Sequence, residues 1–419
     1  MISSMNKCIS CGYSLNPNLC SIGAQFPSAI YSKTAENNSN LKSTSLDLAM
    51  CENKSCRLVQ LNEIVNLDYV YSHYPYQTST TATMKTQLKE FAHESLLKSP
   101  IKFGDVVLDI GGNDGTLLTN FLGLGVQLIN IDIASDLKQV LGEDLYRHIN
   151  AKFTKLEYQK LELKAPRLIF SSAVFYQIPD PDNFCSDLWE IMDDDSVFYL
   201  QMTYLGSMYK NNVYDNVVHE HLGYYSLFSL SSLLKKNKLK IIDVTLTEVY
   251  GGSMRLMIVK ESSKLKENFE NINSLEMFEL INNINEIETM LNFATDFRNW
   301  KESSLILLGE LIERHEFVVG LGASTKGNML LQSIKVNETM MKYIIDNNEK
   351  KIGTWTSGSL IPIVDESHLV NPHKAMFLLP YYYLDFFKEL LQKVIKKQEF
   401  IELFVPLPYP QVIKVWGTK

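Results

Sequence analysis

Short apolar runs, each followed by a polar stretch of helical length, begin near residue 104 and recur towards the C-terminus. Val106-Val107-Leu108-Asp109-Ile110, the run from Leu128 to Ile133, Leu168-Ile169-Phe170 and the run from Val197 to Met202 have the length and β-branched content of buried strands. The stretches from Met84 to Leu97 and from Phe184 to Met192 predict helices between them. Strand and helix in alternation predict a doubly wound α/β sheet over about residues 104–260. The pattern lapses over 263–315, where Asn- and Glu-rich sequence predicts one or two amphipathic helices as a connector. It resumes with strands at Phe317 to Leu321 and at Tyr343-Ile344-Ile345, the start of a second α/β unit. The chain thus divides into 1–68, 69–262, 263–315 and 316–419.

Glycines stand where the first strand of each unit ends. Gly111-Gly112-Asn113-Asp114-Gly115 predicts a tight turn into a helix beginning near Thr116, and glycine lets a backbone approach a ligand closely. Asp109 sits at the strand's carboxyl end, where open α/β sheets bind ligands. Asp132 ends the next strand, where a carboxylate can accept from the hydroxyls of a ribose. Dinucleotide enzymes share that logic, but their G-x-G-x-x-G spacing is missing here. The second turn, Gly320-Leu321-Gly322-Ala323-Ser324-Thr325-Lys326-Gly327-Asn328, adds a lysine and small hydroxyls, which suit phosphate held by backbone amides and a cation. Asp346 ends the strand that follows it.

Between the turns lies Val217-Val218-His219-Glu220-His221-Leu222-Gly223-Tyr224-Tyr225. Three ionisable groups among apolar neighbours are costly to bury without partners. An extended backbone would put His219 and His221 on one face and Glu220 on the other, whereas a turn would bring all three together. The spacing is not the H-E-x-x-H of helical zinc sites. Acid–base chemistry is the expectation, since histidine ordinarily titrates at about 6.5, with a surface loop or a second metal site as the alternatives. The tyrosine- and threonine-rich run from Tyr69 to Thr81, which includes Tyr76, suits a loop lining a polar pocket. Arg255, after Tyr250-Gly251-Gly252-Ser253-Met254, is available to an anionic group.

Charge and cysteine content narrow the partners. A net charge of −8 over 419 residues, with pI near 5.6, argues against a nucleic-acid platform. The N-terminus has no signal-peptide core and no uncharged run reaches membrane-spanning length, so a cytoplasmic protein without membrane partners is expected. Cys8-Ile9-Ser10-Cys11-Gly12 and the pair Cys51 and Cys56 offer four thiolates for a tetrahedral structural zinc. Cys20 is a possible substitute ligand, and scattered free thiols are the alternative. With little core of its own, such a module would draw folding energy from the metal.

Asp109-Ile110-Gly111-Gly112-Asn113-Asp114-Gly115-Thr116-Leu117-Leu118 resembles motif I of class I S-adenosylmethionine methyltransferases, whose turn receives a methionine moiety rather than a pyrophosphate. The order of parts over about residues 8–410 further resembles the sugar-nucleotide C-methyltransferases, on Cys8-x-x-Cys11-Gly12, Gly23-Ala24-Gln25-Phe26-Pro27, motif I, His219-Glu220-His221 with Tyr224 and Tyr225, Gly251 to Arg255, Gly322 to Asn328, and Gly358 to Ile363. That resemblance implies a small N-terminal zinc module held by Cys8, Cys11, Cys51 and Cys56, a central class I methyltransferase Rossmann-like domain, and a C-terminal Rossmann-like domain that binds substrate. It implies S-adenosylmethionine at Asp109, Gly111, Gly112, Asn113, Asp114, Gly115 and Asp132, and a nucleotide-linked keto-deoxysugar as methyl acceptor. His221 would be the base that forms an enolate, with Glu220, His219 and Tyr76 assisting. Tyr224, Arg255, Gly322, Ser324, Lys326, Asn328 and Asp346 would face the substrate. The chain departs from the family pattern at Val218, Tyr250, Tyr381 and Tyr382. Valine cannot donate a hydrogen bond to a sugar oxygen, so Tyr76, Tyr214 or Tyr224 would take that part, or the substrate differs. The alternatives are O- or N-methylation of another small molecule, and a non-catalytic binding protein.

Overall fold

A computed structural model describes residues 3–34, 41–65, 77–133, 139–142 and 144–418. Its central sheet has seven strands in the order Leu239–Thr247, Ser253–Lys260, Val197–Thr203, Leu168–Ser172, Val106–Ile110, Gln127–Asp132 and Arg147–Asn150. Only Ser253–Lys260 runs against the others. Every residue of Val106–Ile110 is buried, as a central parallel strand covered on both faces requires. Helices Ala82–Lys98, Pro181–Ile191 and Leu227–Lys236 accompany this sheet. The last begins with a capping box in which Ser226 and Ser229 exchange bonds. The order of the strands reverses beside Val106–Ile110, so a crevice opens there at the carboxyl ends.

The second sheet repeats the plan with six strands, in the order Ile363–Val364, Met341–Ile345, Val318–Leu321, Ala375–Leu378, Phe400–Val405 and Gln411–Trp416, the last antiparallel. Its reversal lies beside Val318–Leu321. A third, antiparallel sheet orders Gly223–Tyr224, Val59–Leu61, Thr44–Cys51 and Leu15–Gln25. One strand of this N-terminal sheet therefore comes from the residues just after His221. The sheet is also tied to the C-terminal unit: Phe26 N donates to Gln332 Oε1 at 2.8 Å, Gln332 Nε2 returns a bond to Phe26 O at 3.1 Å, and Gln25 Nε2 donates to Ser333 Oγ.

Two expectations change. The helix expected near Thr116 is a single 3₁₀ turn, Leu117–Phe121, because Gly123 and Gly125 follow with φ of 78° and 70°, which a continuing α-helix cannot use. The connector residues form helices Phe269–Ile281 and Ile287–His315, and these are part of the core. Phe293, Phe297 and Trp300 surround Tyr214, and Trp300 Nε1 donates to Pro406 O at 2.7 Å. Burying such aromatic side chains is worth about 1.5–3 kcal/mol each, so the long helix welds the N-terminal and C-terminal sheets together. No helix among the described residues is long and apolar enough to cross a membrane.

Candidate active site

The crevices of the two α/β units open into one cavity of about 1220 Å³. Along its central-domain wall the chain must pass very close to itself. A Cβ on Gly112 would stand 2.4 Å from Asp109 Oδ2 and 2.5 Å from Asn130 Oδ1, and one on Gly111, at φ 71°, would stand 2.4 Å from Val174 Cγ2. Asn113 N donates to Asp132 Oδ2 at 2.8 Å, and the Asn113 side chain accepts from Thr78 N and Oγ1. Asp109, Gly111, Gly112, Asn113 and Asp132 all line the cavity. Burial, with the charges of Asp132 and Asp114 adding to it, pushes the Asp109 carboxyl up to about 8. Asp114 and Gly115 do not line the cavity. Asp114 instead accepts from Ser79 N at 2.8 Å and from Thr116 Oγ1 at 2.6 Å, stitching the turn to the segment before the first helix.

Above this wall sits the His-Glu-His loop. It follows the 3₁₀ turn Tyr214–Asn216 and is pinned on its far side where Gly223–Tyr224 pairs with Val59 and Gln60. Glu220 and His221 line the cavity together with Val218. His219 does not: it packs towards the backbone of Gln25 and Thr44 in the N-terminal sheet, and burial pushes its imidazole down to about 4. The sequence pattern could not decide between a face shared by both histidines and a convergent turn; the loop does neither, and joins Glu220 to His221.

His221 Nδ1 lies 2.8 Å from Asn216 O, and a carbonyl can only accept, so Nδ1 carries the hydrogen and Nε2 the free lone pair. The Tyr176 ring covers the imidazole at 4.2 Å between centroids. Burial, followed by the positive charge of Lys326, pushes His221 down to about 3. Both carboxylate oxygens of Glu220 are buried without a hydrogen-bond partner among the described residues, and burial pushes this carboxyl up to about 7. An unpaired buried carboxyl facing a cavity is costly, and a polar ligand would relieve that cost.

The opposite wall is the C-terminal turn. Gly322, at φ 78°, lies where a Cβ would meet Pro380 Cγ at 2.6 Å. Ala323 N donates to Asp346 Oδ2 at 2.7 Å and Asn348 N to Asp346 Oδ1 at 2.8 Å, while Lys351 Nζ donates to Ala323 O. Gly322, Ser324, Thr325, Lys326, Asp346, Lys350 and Lys351 line the cavity. Lys326 reaches inward and donates to Asn216 Oδ1, with its ammonium over the rings of Tyr250 and Tyr382 at 5.0 and 5.3 Å. Beside it, buried Asp215 accepts from the hydroxyls of Tyr382 and, at 3.2 Å, Tyr381.

Other expected site residues lie elsewhere. Arg255 pairs across the sheet with Gln201, donates to Gln201 Oε1 at 2.6 Å and Glu94 at 3.3 Å, and stacks on Phe91. Asn328 binds Ser28 O and Ser357 Oγ and accepts from Ser359, which closes the N-terminal sheet onto the C-terminal unit. Tyr224 is buried beneath the loop with its hydroxyl 3.5 Å from Asn216 O. Tyr76 lies outside the described residues. Thr78, at the end of the run expected to line a pocket, does line the cavity, whereas reading the sequence missed Tyr176, Asp215 and Asn216, which carry no motif of their own.

Cys8, Cys11, Cys51 and Cys56 come together with their sulfurs all within 4.8 Å of one another. Cys8 and Cys56 are 3.7 Å apart and Cys11 and Cys51 3.4 Å apart, so all are free thiols. Four thiolates about 2.3 Å from a central zinc would stand about 3.8 Å apart, so this cluster fits the ion.

Residues 80–244 match a family described as a methyltransferase domain, and residues 248–408 match one described as the C-methyltransferase C-terminal domain. The C-methyltransferase NovU of Streptomyces niveus is 26% identical over 380 residues, covering 89% of this chain and 88% of its own. Among solved structures, the Burkholderia thailandensis 1,6-didemethyltoxoflavin-N1-methyltransferase aligns with TM-score 0.35 and 14% identity over 50% of this chain and 97% of that one. CalO1, a methyltransferase in calicheamicin biosynthesis, aligns with TM-score 0.34 and 11% identity over 46% and 57%.

Proposed function

We propose that this chain, an S-adenosylmethionine-dependent methyltransferase similar to the C-methyltransferases, takes a nucleotide-linked keto-deoxysugar as its acceptor and methylates it on carbon. What carries this is one observation: both glycine turns, Glu220 and His221 line a single cavity. S-adenosylmethionine supplies an electrophilic methyl group on a sulfonium centre. The Gly111–Asn113 turn and Asp132 hold its methionine and ribose ends, with Asp109 buried beneath. Ser324, Thr325 and the amino end of helix Thr325–Ser333, with Lys350 and Lys351 nearby, receive the diphosphate. The sugar then lies against the His-Glu-His loop.

His221 Nε2 takes the proton from the carbon beside the sugar carbonyl, since its Nδ1 is committed to Asn216 O. Glu220 accepts from sugar hydroxyls with its two unpaired oxygens. A second assignment has its own support: a carboxyl near 7 is a better matched base at neutrality than an imidazole near 3, which would make Glu220 the base and His221 its neighbouring donor. In that case the acid limb of turnover lies near 7 and vanishes from the residual activity of Glu220→Gln. With His221 as base the acid limb lies near 3 instead and survives the substitution. Tyr76 retains its proposed place beside the sugar, and a structural zinc at Cys8, Cys11, Cys51 and Cys56 completes the protein without taking part in the chemistry.

Methyl-tritiated S-adenosylmethionine, incubated with thymidine, uridine and guanosine diphosphate-linked 4-keto sugars and with hydroxyl and amine acceptors, tests the proposal. Label on a ring carbon is the expected result. Label on oxygen or nitrogen alone would move the protein to the alternative, a methyltransferase of the same architecture with a different small-molecule acceptor.

A further inference from the structure

Lys326 comes from the second glycine turn, yet its ammonium is not among the lysines at the outer rim. It donates to the side-chain oxygen of Asn216, the residue whose main-chain oxygen fixes His221 Nδ1. One asparagine thus spaces a cation and an imidazole on the wall of the same cavity. Two aromatic faces, Tyr250 and Tyr382, flank the ammonium, and the buried carboxyl of Asp215 stands behind it, itself held by the hydroxyls of Tyr381 and Tyr382. Asp215 is fully buried, and nothing of it faces the cavity. A lysine whose counter-ion lies behind it, and whose hydrogen bond among the described residues goes to a neutral amide, keeps donors for a ligand in front of it.

We infer that Lys326 is the electrophilic catalyst of the reaction, donating an N–H bond to the acceptor's carbonyl oxygen, and that Asp215 is a positioning residue for it. This rests on the keto-sugar acceptor proposed above. As the C–H bond beside the carbonyl breaks, the proton goes to the base on the His-Glu-His loop. The bonding pair becomes the new carbon–carbon double bond, and the carbonyl π pair moves onto oxygen, where the Lys326 donor meets the developing charge. The charge is discharged when the carbon–methyl bond forms, the methyl–sulfur bond breaks and the carbonyl is restored. An ammonium is worth most in a water-poor cavity at the atom where charge develops. Burial lowers Lys326 to about 8, with Asp215 opposing that fall, so it remains mostly protonated at neutrality and loses its proton in a range that kinetics can reach.

Two measurements decide it. In D2O, with S-adenosylhomocysteine bound and no methyl donor, wild-type protein should wash deuterium into the carbon beside the carbonyl of a nucleotide-linked 4-keto sugar. Lys326→Met should lose this exchange and methyl transfer alike by about a hundredfold or more, with unchanged affinity for S-adenosylhomocysteine, and Lys326→Arg should recover part of both. Asp215→Asn should move the alkaline limb of turnover to lower pH, because the carboxylate raises the lysine, so that turnover falls more at pH 8 than at pH 6. Exchange in Lys326→Met within about threefold of wild type overturns the proposal. The second measurement needs no substrate: the NMR titration midpoint of the His221 imidazole, assigned with His221→Gln, should rise in Lys326→Met because a neighbouring positive charge is gone. An unmoved midpoint also overturns the proposal. Should wild type neither exchange nor methylate any keto sugar offered, the acceptor assignment fails, and the His221 titration still judges whether Lys326 acts at the base.

Discussion

The two glycine turns are built alike and charged oppositely. In each, the amide at the turn donates to an aspartate at the end of the next strand: Asn113 N to Asp132 Oδ2 at 2.8 Å, and Ala323 N to Asp346 Oδ2 at 2.7 Å. In each, a glycine amide bonds the residue before that aspartate, Gly111 N to Ile131 O and Gly322 N to Ile345 O, both at 2.8 Å. The first turn is then surrounded by acids, Asp109, Asp114 and Asp132. The second is surrounded by Lys326, Lys350 and Lys351, and Lys351 stands 3.7 Å from Asp346. Shared backbone geometry with opposite charge teaches that the fold sets where a ligand sits, while the side chains choose its sign. A sulfonium-bearing ligand suits the first turn and a diphosphate the second.

The largest effect should come from the loop between the turns. His221→Gln is expected to lower turnover by about 10²–10⁴-fold while leaving both turns occupied; steady-state kinetics alongside calorimetry for each ligand would show it, and loss of either ligand would mean that the loop builds a turn rather than serving both. Next comes Glu220. Its carboxyl lies at about 7 folded against 4.5 in the reference state, so the folded chain holds the extra proton between those values. The contribution is fully present below 4.5 and lost as pH rises through 7, a loss of up to about 3 kcal/mol. Denaturant unfolding at pH 8.5 should therefore find Glu220→Gln more stable than wild type, with the difference shrinking towards pH 5.

The aspartates sharpen the comparison more finely. Both oxygens of Asp346 are taken by backbone amides, so Asp346→Ala should cost about 1–3 kcal/mol of folding stability. Asp132→Ala likewise removes the acceptor of the Asn113 amide, and its distinguishing cost should appear in S-adenosylhomocysteine affinity. Equal melting curves for wild type and Asp346→Ala would break the distinction. At the N-terminus, metal analysis should find one zinc per chain, lost in Cys8→Ser together with the folding of that sheet.

Much of this was legible in the sequence because it is local. Val106–Ile110 and Gln127–Asp132 are short strands rich in leucine, isoleucine and valine, and Gly111 and Gly322 mark turns that no β-carbon could occupy. The four cysteines are legible through their pairing. Side-chain direction is less so. Arg255 lies opposite Gln201 in an antiparallel register, and the bonds available there draw it into Gln201 and Glu94 instead of the cavity. Asn328 has motif-like company but spends its amide on Ser28 and Ser357. The meeting of Lys326 with Asn216, and of Tyr381 and Tyr382 with Asp215, spans more than a hundred residues each and leaves no periodic trace.

The central claim is that the two turns hold two different ligands side by side in one cavity, and calorimetry tests it most directly. S-adenosylhomocysteine and a nucleoside diphosphate should each bind wild-type protein with a stoichiometry of one, and each should bind as well when the other is already present. Asp132→Ala should weaken the first by about 1–3 kcal/mol and leave the second unchanged. Competition between the two ligands, or unaltered S-adenosylhomocysteine affinity in Asp132→Ala, would contradict the assignment.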